Sequence, residues 1–408
     1  MENATCEASY NLELAPRIVM ATAKRLLMCL FLLLILGMVL FGCGGQSSLG
    51  SQSGDGGTPQ SGVSFASPKN IASGGTHAGS LVIADFNGDG KLDIAVSNFS
   101  SNTIAIFLNR GAGTFASPKI TTVQIPNGLG AIATGDFNED GKPDLIVATI
   151  AGPQVDLVLL GNGDGTFTQA PTIPNSFGFL RGRVADLNGD KHSDFIGCSN
   201  GNIHVALGNG DGSFQPVSYL PNGPMPDTYF GCDVGDFNGD GKIDILGADS
   251  FTSSVDNVVL FAGNGDGTFQ SPTVISSGSS NATSISVADF NGDNKLDALV
   301  GFQQGVAALL LGNGDGSFQT PVPVSGYGEL VLAADLNHDG KPDALAANGV
   351  LSVALNAGNG TFGSRLYTFA LPAGLSDLAA GDLNGDGLPD IALVNSDTDQ
   401  LTILLSQK

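Results

Sequence analysis

A seven-bladed, all-β propeller with four-stranded blades is the fold this sequence predicts, on three observations. A nine-residue string close to Asp-x-Asn-x-Asp-Gly-x-x-Asp recurs seven times between residues 85 and 390. Its starts lie 46 to 53 residues apart, a period that holds four short strands and their turns. Short β-branched or aliphatic runs bounded by Gly, Asn and Ser flank the copies, and no stretch of the body keeps helical spacing for long.

In the first repeat, Ser80–Ala84 enters the aspartate string and Ile94–Val96 leaves it. Thr103–Leu108 is the third strand and, after a turn, Phe115–Pro118 the fourth. A second repeated element joins these two. It reads LNRGAGTF at 108–115, LGNGDGTF at 160–167, LGNGDGSF at 207–214, AGNGDGTF at 262–269, LGNGDGSF at 311–318 and NAGNGTF at 356–362. Asn-Gly and Asp-Gly mark hairpin turns, because glycine accepts the positive φ those turns require. A phosphate cradle is excluded: no helix follows, and the aspartates would repel the anion. There are six such hairpins for seven aspartate loops, and Lys408 comes just after the third strand of the last repeat. Ser64–Pro68 matches Thr114–Pro118, so the N-terminal segment is expected to complete the seventh blade and close the ring.

Composition agrees with this architecture. Of 408 residues, 59 are glycine and none is tryptophan, and only 13% are charged, a profile of short strands and tight turns. The formal net charge is nevertheless −23, which excludes nucleic acid and anionic lipid surfaces as partners. So much negative charge opposes compaction unless cations neutralise it.

The N-terminus has a different character. Arg17, Lys24 and Arg25 precede an uncharged apolar run at 26–41, and Leu40-Phe41-Gly42-Cys43 follows. The run is shorter than the roughly 20 residues of a membrane-spanning helix, so an export signal is favoured over a spanning anchor. The ending resembles a bacterial lipobox, which implies cleavage before Cys43 and lipidation of that cysteine. Residues 1–42 are thus expected to be the signal, 43–61 a flexible Gly/Ser tether and 62–408 the propeller. Cys6 and Cys29 leave with the signal. Cys198 and Cys232 remain in the body, either as a disulfide or as two separate small core residues.

The aspartate loops carry the chemistry. Their oxygen-bearing positions 1, 3, 5 and 9 are Asp85, Asn87, Asp89 and Asp93 in the first loop, and Asp136, Asn138, Asp140 and Asp144 in the second. They are Asp186, Asn188, Asp190 and Asp194 in the third, and Asp236, Asn238, Asp240 and Asp244 in the fourth. The fifth has Asp289, Asn291, Asp293 and Asp297, and the sixth Asp335, Asn337, Asp339 and Asp343. Asp382, Asn384, Asp386 and Asp390 complete the seventh. Calcium takes six to eight oxygen ligands, and position 7 can add its carbonyl. No sulfur or imidazole recurs, which excludes zinc and copper as the repeated metal. Flanking strands in place of helices, and closure at position 9, exclude an EF-hand. Asp, Asn and Gly also make plain polar turns; seven copies with all four oxygen positions intact favour up to seven Ca2+ ions. These loops hold 21 of the 39 acidic residues, and seven divalent ions would reduce the charge to about −9. Lys191 replaces the position-6 glycine in the third loop, which ranks it weakest; Asn294 does so in the fifth and tolerates that backbone better. Position 2, always Phe or Leu, is expected to point away from the ion.

The aspartate loop together with the Gly-Asn-Gly-Asp-Gly-Thr-Phe hairpin resembles the FG-GAP/VCBS repeats, which build the propeller of integrin α subunits and occur in bacterial surface proteins and some fungal lectins. The resemblance covers roughly residues 62–408. It implies calcium in the first-to-second-strand loops on one face, with partners on the opposite face. The family spans adhesion, sugar binding and scaffolding, so it does not choose the ligand.

The leading expectation is a lipid-anchored, monomeric cell-surface module that binds an extracellular protein or glycan. Loop residues that vary between blades include Arg181, Arg183, Tyr229, Phe230, Gln303, Gln304, Tyr327 and Glu329, each of which singly reads as an ordinary loop residue. A lectin is the narrower alternative, weakened by the lack of tryptophan. A purely structural scaffold is another. An enzyme is not expected: His77, His192, His204 and His338 form no motif with a nucleophile or metal, and the recurrent carboxylates are assigned to calcium.

Overall fold

The computed structural model describes residues 63–407 apart from 124–127, 150–154, 200–201, 221–228, 250–257, 325–327 and 364–366. The expected signal, Cys43 and tether lie outside the described residues. The body consists of seven sheets of four antiparallel strands arranged as a propeller ring. Blade 1 runs from its inner strand Ala78–Ala84 through Asp93–Asn98 and Thr103–Phe107 to the outer strand Lys119–Thr122. Blade 3 is Arg181–Ala185, Asp194–Ser199, Asn202–Ala206 and Ser218–Tyr219. The others repeat the order, with inner strands Leu129–Gly135, Tyr229–Gly235, Ala282–Ala288, Leu330–Ala334 and Leu375–Gly381. Among the described residues no helix is long and apolar enough to cross a membrane.

Burial falls from the middle of each blade outwards. Every second strand is buried along its whole length, which is why it reads as a continuous apolar run in the sequence. Outer strands such as Lys119–Thr122 and Ser218–Tyr219 are half-buried or exposed. The core lies between blades. Seven clusters of buried side chains each join two neighbouring blades, and together they cover all seven seams. The Phe or Leu at position 2 of each aspartate loop lies in the seam with the next blade. Phe86 there meets Phe167 edge to face at 5.8 Å, and Phe137 meets Phe214 at 5.4 Å.

The ring closes through the N-terminal segment, one residue block later than the sequence suggests. Lys69–Ala72 is the outer strand of blade 7, paired with Gln400–Leu404. Ser64–Phe65 pairs instead with Ser406–Gln407, the counterpart of the single bridge between Asn109 and Phe115 in blade 1. Phe115 likewise closes the hairpin, and the fourth strand of blade 1 begins at Lys119. In blade 2 the hairpin Phe167 both packs on Phe86 and opens the fourth strand, whereas in blade 1 the ladder lapses after the Phe115 bridge and restarts at Lys119.

Cys198 and Cys232 form a disulfide between the second strand of blade 3 and the inner strand of blade 4, with Cα atoms 6.2 Å apart. It ties two blades that share no other covalent link than the chain between them. Replacing both cysteines by alanine is expected to cost about 4 kcal/mol, the loop-entropy value for a bond between residues 34 apart. Chemical denaturation would show it as a lower midpoint; an unmoved midpoint would contradict it.

Candidate functional site

All seven aspartate loops connect an inner strand to a second strand, and so lie at one end of the ring. In the first loop the Asp85 carboxylate accepts backbone N–H groups from Gly88 (2.8 Å) and Asp89 (3.2 Å) on Oδ1 and from Gly90 (2.8 Å) on Oδ2. Asn87 Oδ1 accepts from the Asp89 amide at 2.9 Å, and Asp89 Oδ1 from the Lys91 amide at 3.0 Å. The loop therefore winds around its own first carboxylate, and the fourth and seventh loops repeat these contacts.

Position 9 behaves differently. Asp93 is fully buried; its Oδ2 accepts the Phe86 amide at 3.0 Å and its Oδ1 the Asn109 amide at 2.7 Å. In every blade the ninth aspartate makes the same two bonds, one to position 2 and one to the third strand's end. It staples the loop to the hairpin beside it. Each hairpin then reaches the preceding blade: the Gly165 amide donates to Phe86 O at 3.0 Å, and Gly212 to Phe137 O at 2.8 Å. Gly165 has positive φ, and a Cβ there would come within 2.9 Å of Leu108 on the preceding blade. The hairpin glycines are thus required by blade-to-blade contact as well as by the turn. The sequence reading missed this role.

It also missed position 4. Positions 4 and 6 both have positive φ in every loop, and position 4 is Gly in all but two. The exceptions are Glu139 (φ 58°) and His338 (φ 58°), beside Lys191 (φ 74°) and Asn294 (φ 62°) at position 6. Five glycines in seven copies were the available signal.

The loops gather three carboxylates and one amide oxygen within nine residues, an all-oxygen donor set that suits a hard cation. Among the described residues, no three His, Cys, Asp or Glu side chains converge as a ready metal-holding group. Position 1 is turned to the loop amides and position 9 to its staple. Where position 7 is lysine, its ammonium lies against the position-5 carboxylate: Lys91 to Asp89 at 2.9 Å and Lys142 to Asp140 at 3.0 Å. That contact holds both carboxyls below the usual range. Burial does the reverse at position 9, aided by repulsion from positions 1 and 5, and pushes Asp93, Asp297 and Asp343 up to about 6.

These raised values fix a pH dependence. A carboxyl that holds its proton more tightly when folded favours folding below its folded pKa and opposes it above. In the presence of chelator, stability is therefore expected to rise as pH falls from 7 through 6 towards 5. Thermal melts across that range test it; a midpoint that falls steadily with pH would contradict it.

At the opposite end, the residues singled out from the sequence separate. Phe230 (40% exposed), Gln303 and Gln304 face solvent. Tyr229 is a correction: it is buried and packs edge to face on Phe261 at 6.1 Å. Arg181 and Arg183 are also not loop residues. They lie on the inner strand of blade 3 and form ion pairs, Arg181 with Asp377 at 3.3 Å and Arg183 with Asp233 at 2.7 Å. Glu329 is half-buried, and burial raises its pKa. Tyr327 lies outside the described residues. Of the histidines, His77 bonds Ser100 Oγ at 2.9 Å, His192 contacts Glu139 of the neighbouring loop, and His204 pairs with Asp156 inside a seam.

Comparison with known proteins places the chain. The FG-GAP-like repeat profile matches residues 85–147, 136–196, 186–247, 236–300 and 335–393. The chain belongs to the FG-GAP-like repeat family, as a seven-bladed propeller. Integrin alpha-PS3 of Drosophila melanogaster is 32% identical over 148 residues, 30% of this chain and 13% of the integrin, so the likeness spans a small part of that relative. Among solved structures, a lectin of Agrocybe aegerita that recognises non-reducing terminal N-acetylglucosamine superposes with a TM-score of 0.55 at 23% identity, covering 79% of this chain and 86% of the lectin. The BP39L lectin of Burkholderia pseudomallei gives 0.56 at 18% identity, covering 79% and 94%. At such identities these two likenesses speak to fold alone.

Proposed function

We propose that this chain is a calcium-stabilised binding module, exported and held at the cell surface through lipid on Cys43, that docks an extracellular protein or glycan and catalyses nothing. The observation that carries the reading is the division of the ring into two unlike ends. One end repeats the same aspartate loop in all seven blades and the same hairpin in six, bound to one another by backbone bonds. The other end varies from blade to blade and exposes Phe99, Phe177 and Phe230 among polar loops. A uniform end suits a structural ion, and a varied one suits recognition. In each loop, positions 1, 3, 5 and 9 would hold the ion with the position-7 carbonyl. The ion would supply the positive charge that the crowded carboxylates lack. The cross-blade disulfide fits an oxidising compartment. The domain limits 1–42, 43–61 and 62–408 and a monomeric state belong to the same proposal.

Sugar binding is the second reading, favoured by those exposed phenylalanines, whose faces can stack on a pyranose. A glycan array probed in calcium, beside cross-linking to intact cells, tests both. Binding that disappears on changing Phe177 and Phe230 to serine, with the melting temperature unchanged, supports the varied end as the docking face. Binding that survives those changes places recognition elsewhere.

A further inference from the structure

Blade 3 differs from the other six in a way neither the aspartate loops nor the family explains. Most seams use interchangeable parts, namely aliphatic cores, a hairpin glycine against a leucine, and a Phe or Leu from the preceding loop. Blade 3 adds contacts that occur once each.

Asp156 of blade 2 and His204 of blade 3 are both fully buried, with Nε2 3.0 Å from Oδ2. Counted back from the residue that bonds the ninth aspartate, the position of Asp156 is aliphatic in the other six blades. His204 stands where those blades have Ala, Leu, Val, Ala, Ser and Thr. Space for its ring exists because residue 197 is glycine; a Cβ there would lie 2.3 Å from the imidazole. Oδ1 of Asp156 and Nδ1 of His204 have no hydrogen-bond partner. A buried pair left half satisfied is a poor source of stability compared with the small or apolar pairs at the other seams.

The central channel repeats the pattern. Counted from the first loop aspartate, Arg181 and Asp377 occupy the same position in blades 3 and 7, where the other five blades have Ser, Ala, Gly, Ser and Leu. Arg183 and Asp233 share another position in blades 3 and 4, where the rest are Val, Ala, Ser, Leu and Ala. Arg181 therefore pairs with a blade that is not its neighbour. Beyond each arginine the aspartates bond onward: Asp377 accepts Ser80 Oγ of blade 1 at 2.7 Å, and Asp233 accepts the Val287 amide of blade 5 at 2.9 Å.

We propose that blade 3 is the registry blade of the ring: its singular contacts with blades 2, 4 and 7 reject closures that pair near-identical blades in the wrong order. Seven similar repeats can mate through several combinations of faces. In any other arrangement Asp156 meets Ala, Leu, Val, Ser or Thr in place of the imidazole, and the two arginines lose their level partners. An uncompensated buried charge is far more costly than a poorly packed methyl group, so the wrong rings are raised more than the right one is lowered.

The test is refolding of the full chain, in calcium and a thiol–disulfide buffer, after reduction and denaturation. Two quantities are read: the yield of monomer carrying the Cys198–Cys232 bond, by peptide mapping, and the denaturation midpoint of that fraction. Asp156→Ile with His204→Ala installs the blade 1 residues. The native yield is expected to fall by about threefold or more while the midpoint of the native fraction stays or rises. An unchanged yield overturns the proposal, and so does a loss of yield with an equal loss of midpoint, which would make the pair an ordinary stabilising contact. Changes at Arg183 alone, which leave the bond from the Val287 amide to Asp233 in place, guard against a simple folding failure. Arg183→Lys keeps a positive charge beside Asp233 and is expected to refold with close to the wild-type yield, whereas Arg183→Leu is not. An Arg183→Lys chain that refolds no better than Arg183→Leu also overturns the proposal.

Discussion

Withdrawal of calcium by excess chelator is expected to lower the stability of this chain by about 10 kcal/mol or more, from a starting calcium concentration 100-fold above the dissociation constant. Each loop filled under those conditions adds about 2.7 kcal/mol. Four or five such loops reach the total. The physical source is the crowding of three carboxylates in each nine-residue turn, with lysine ammonium groups compensating only position 5. A fall in the thermal midpoint of roughly 10 °C or more would report it. On titration with chelator the loop at Asp186–Asp194 is expected to empty first, because Lys191 holds a backbone conformation that glycine holds more easily. A midpoint indifferent to chelator would reduce all seven strings to polar turns.

The second large effect belongs to position 9 and does not need calcium. Asp297→Ala is expected to cost about 2–6 kcal/mol even with chelator present, because it leaves two buried amides, those of Phe290 and Gly312, without an acceptor. Asp293→Ala, four residues earlier and exposed, is expected to cost less than about 1 kcal/mol in chelator, while weakening calcium binding. Comparing the two by urea denaturation with and without calcium separates staple from ligand. Equal losses in chelator would show that position 9 has no structural role of its own.

The repeat period made the number of blades legible, because each blade announces itself with an aspartate loop and a hairpin. Closure was legible for the same reason: Phe65 stands to Ser406 as Phe115 stands to Asn109. The fourth strand of blade 1 was misplaced because Phe115 reads as strand but makes only a single bridge, with the ladder restarting at Lys119. Four equivalent oxygens per loop were visible in the sequence, but not the division of labour among them. Asp93 and Asp85 are the same residue type, and only the register of the third strand sets Asp93 against the Asn109 amide. Arg181 and Arg183 were read as loop residues because an inner strand beginning Arg-Gly-Arg lacks the apolar pattern of the other six. Their partners lie 196 and 50 residues further along the chain, a distance that no local pattern reports.

The central claim is that the aspartate loops are cation sites, and counting ions tests it most directly. The full chain would be dialysed against micromolar calcium, freed of loosely held ions and subjected to elemental analysis, with magnesium and zinc counted in the same sample. The account predicts about five to seven calcium ions per chain and no stoichiometric zinc. A chain that retains no calcium, or retains zinc instead, would contradict it.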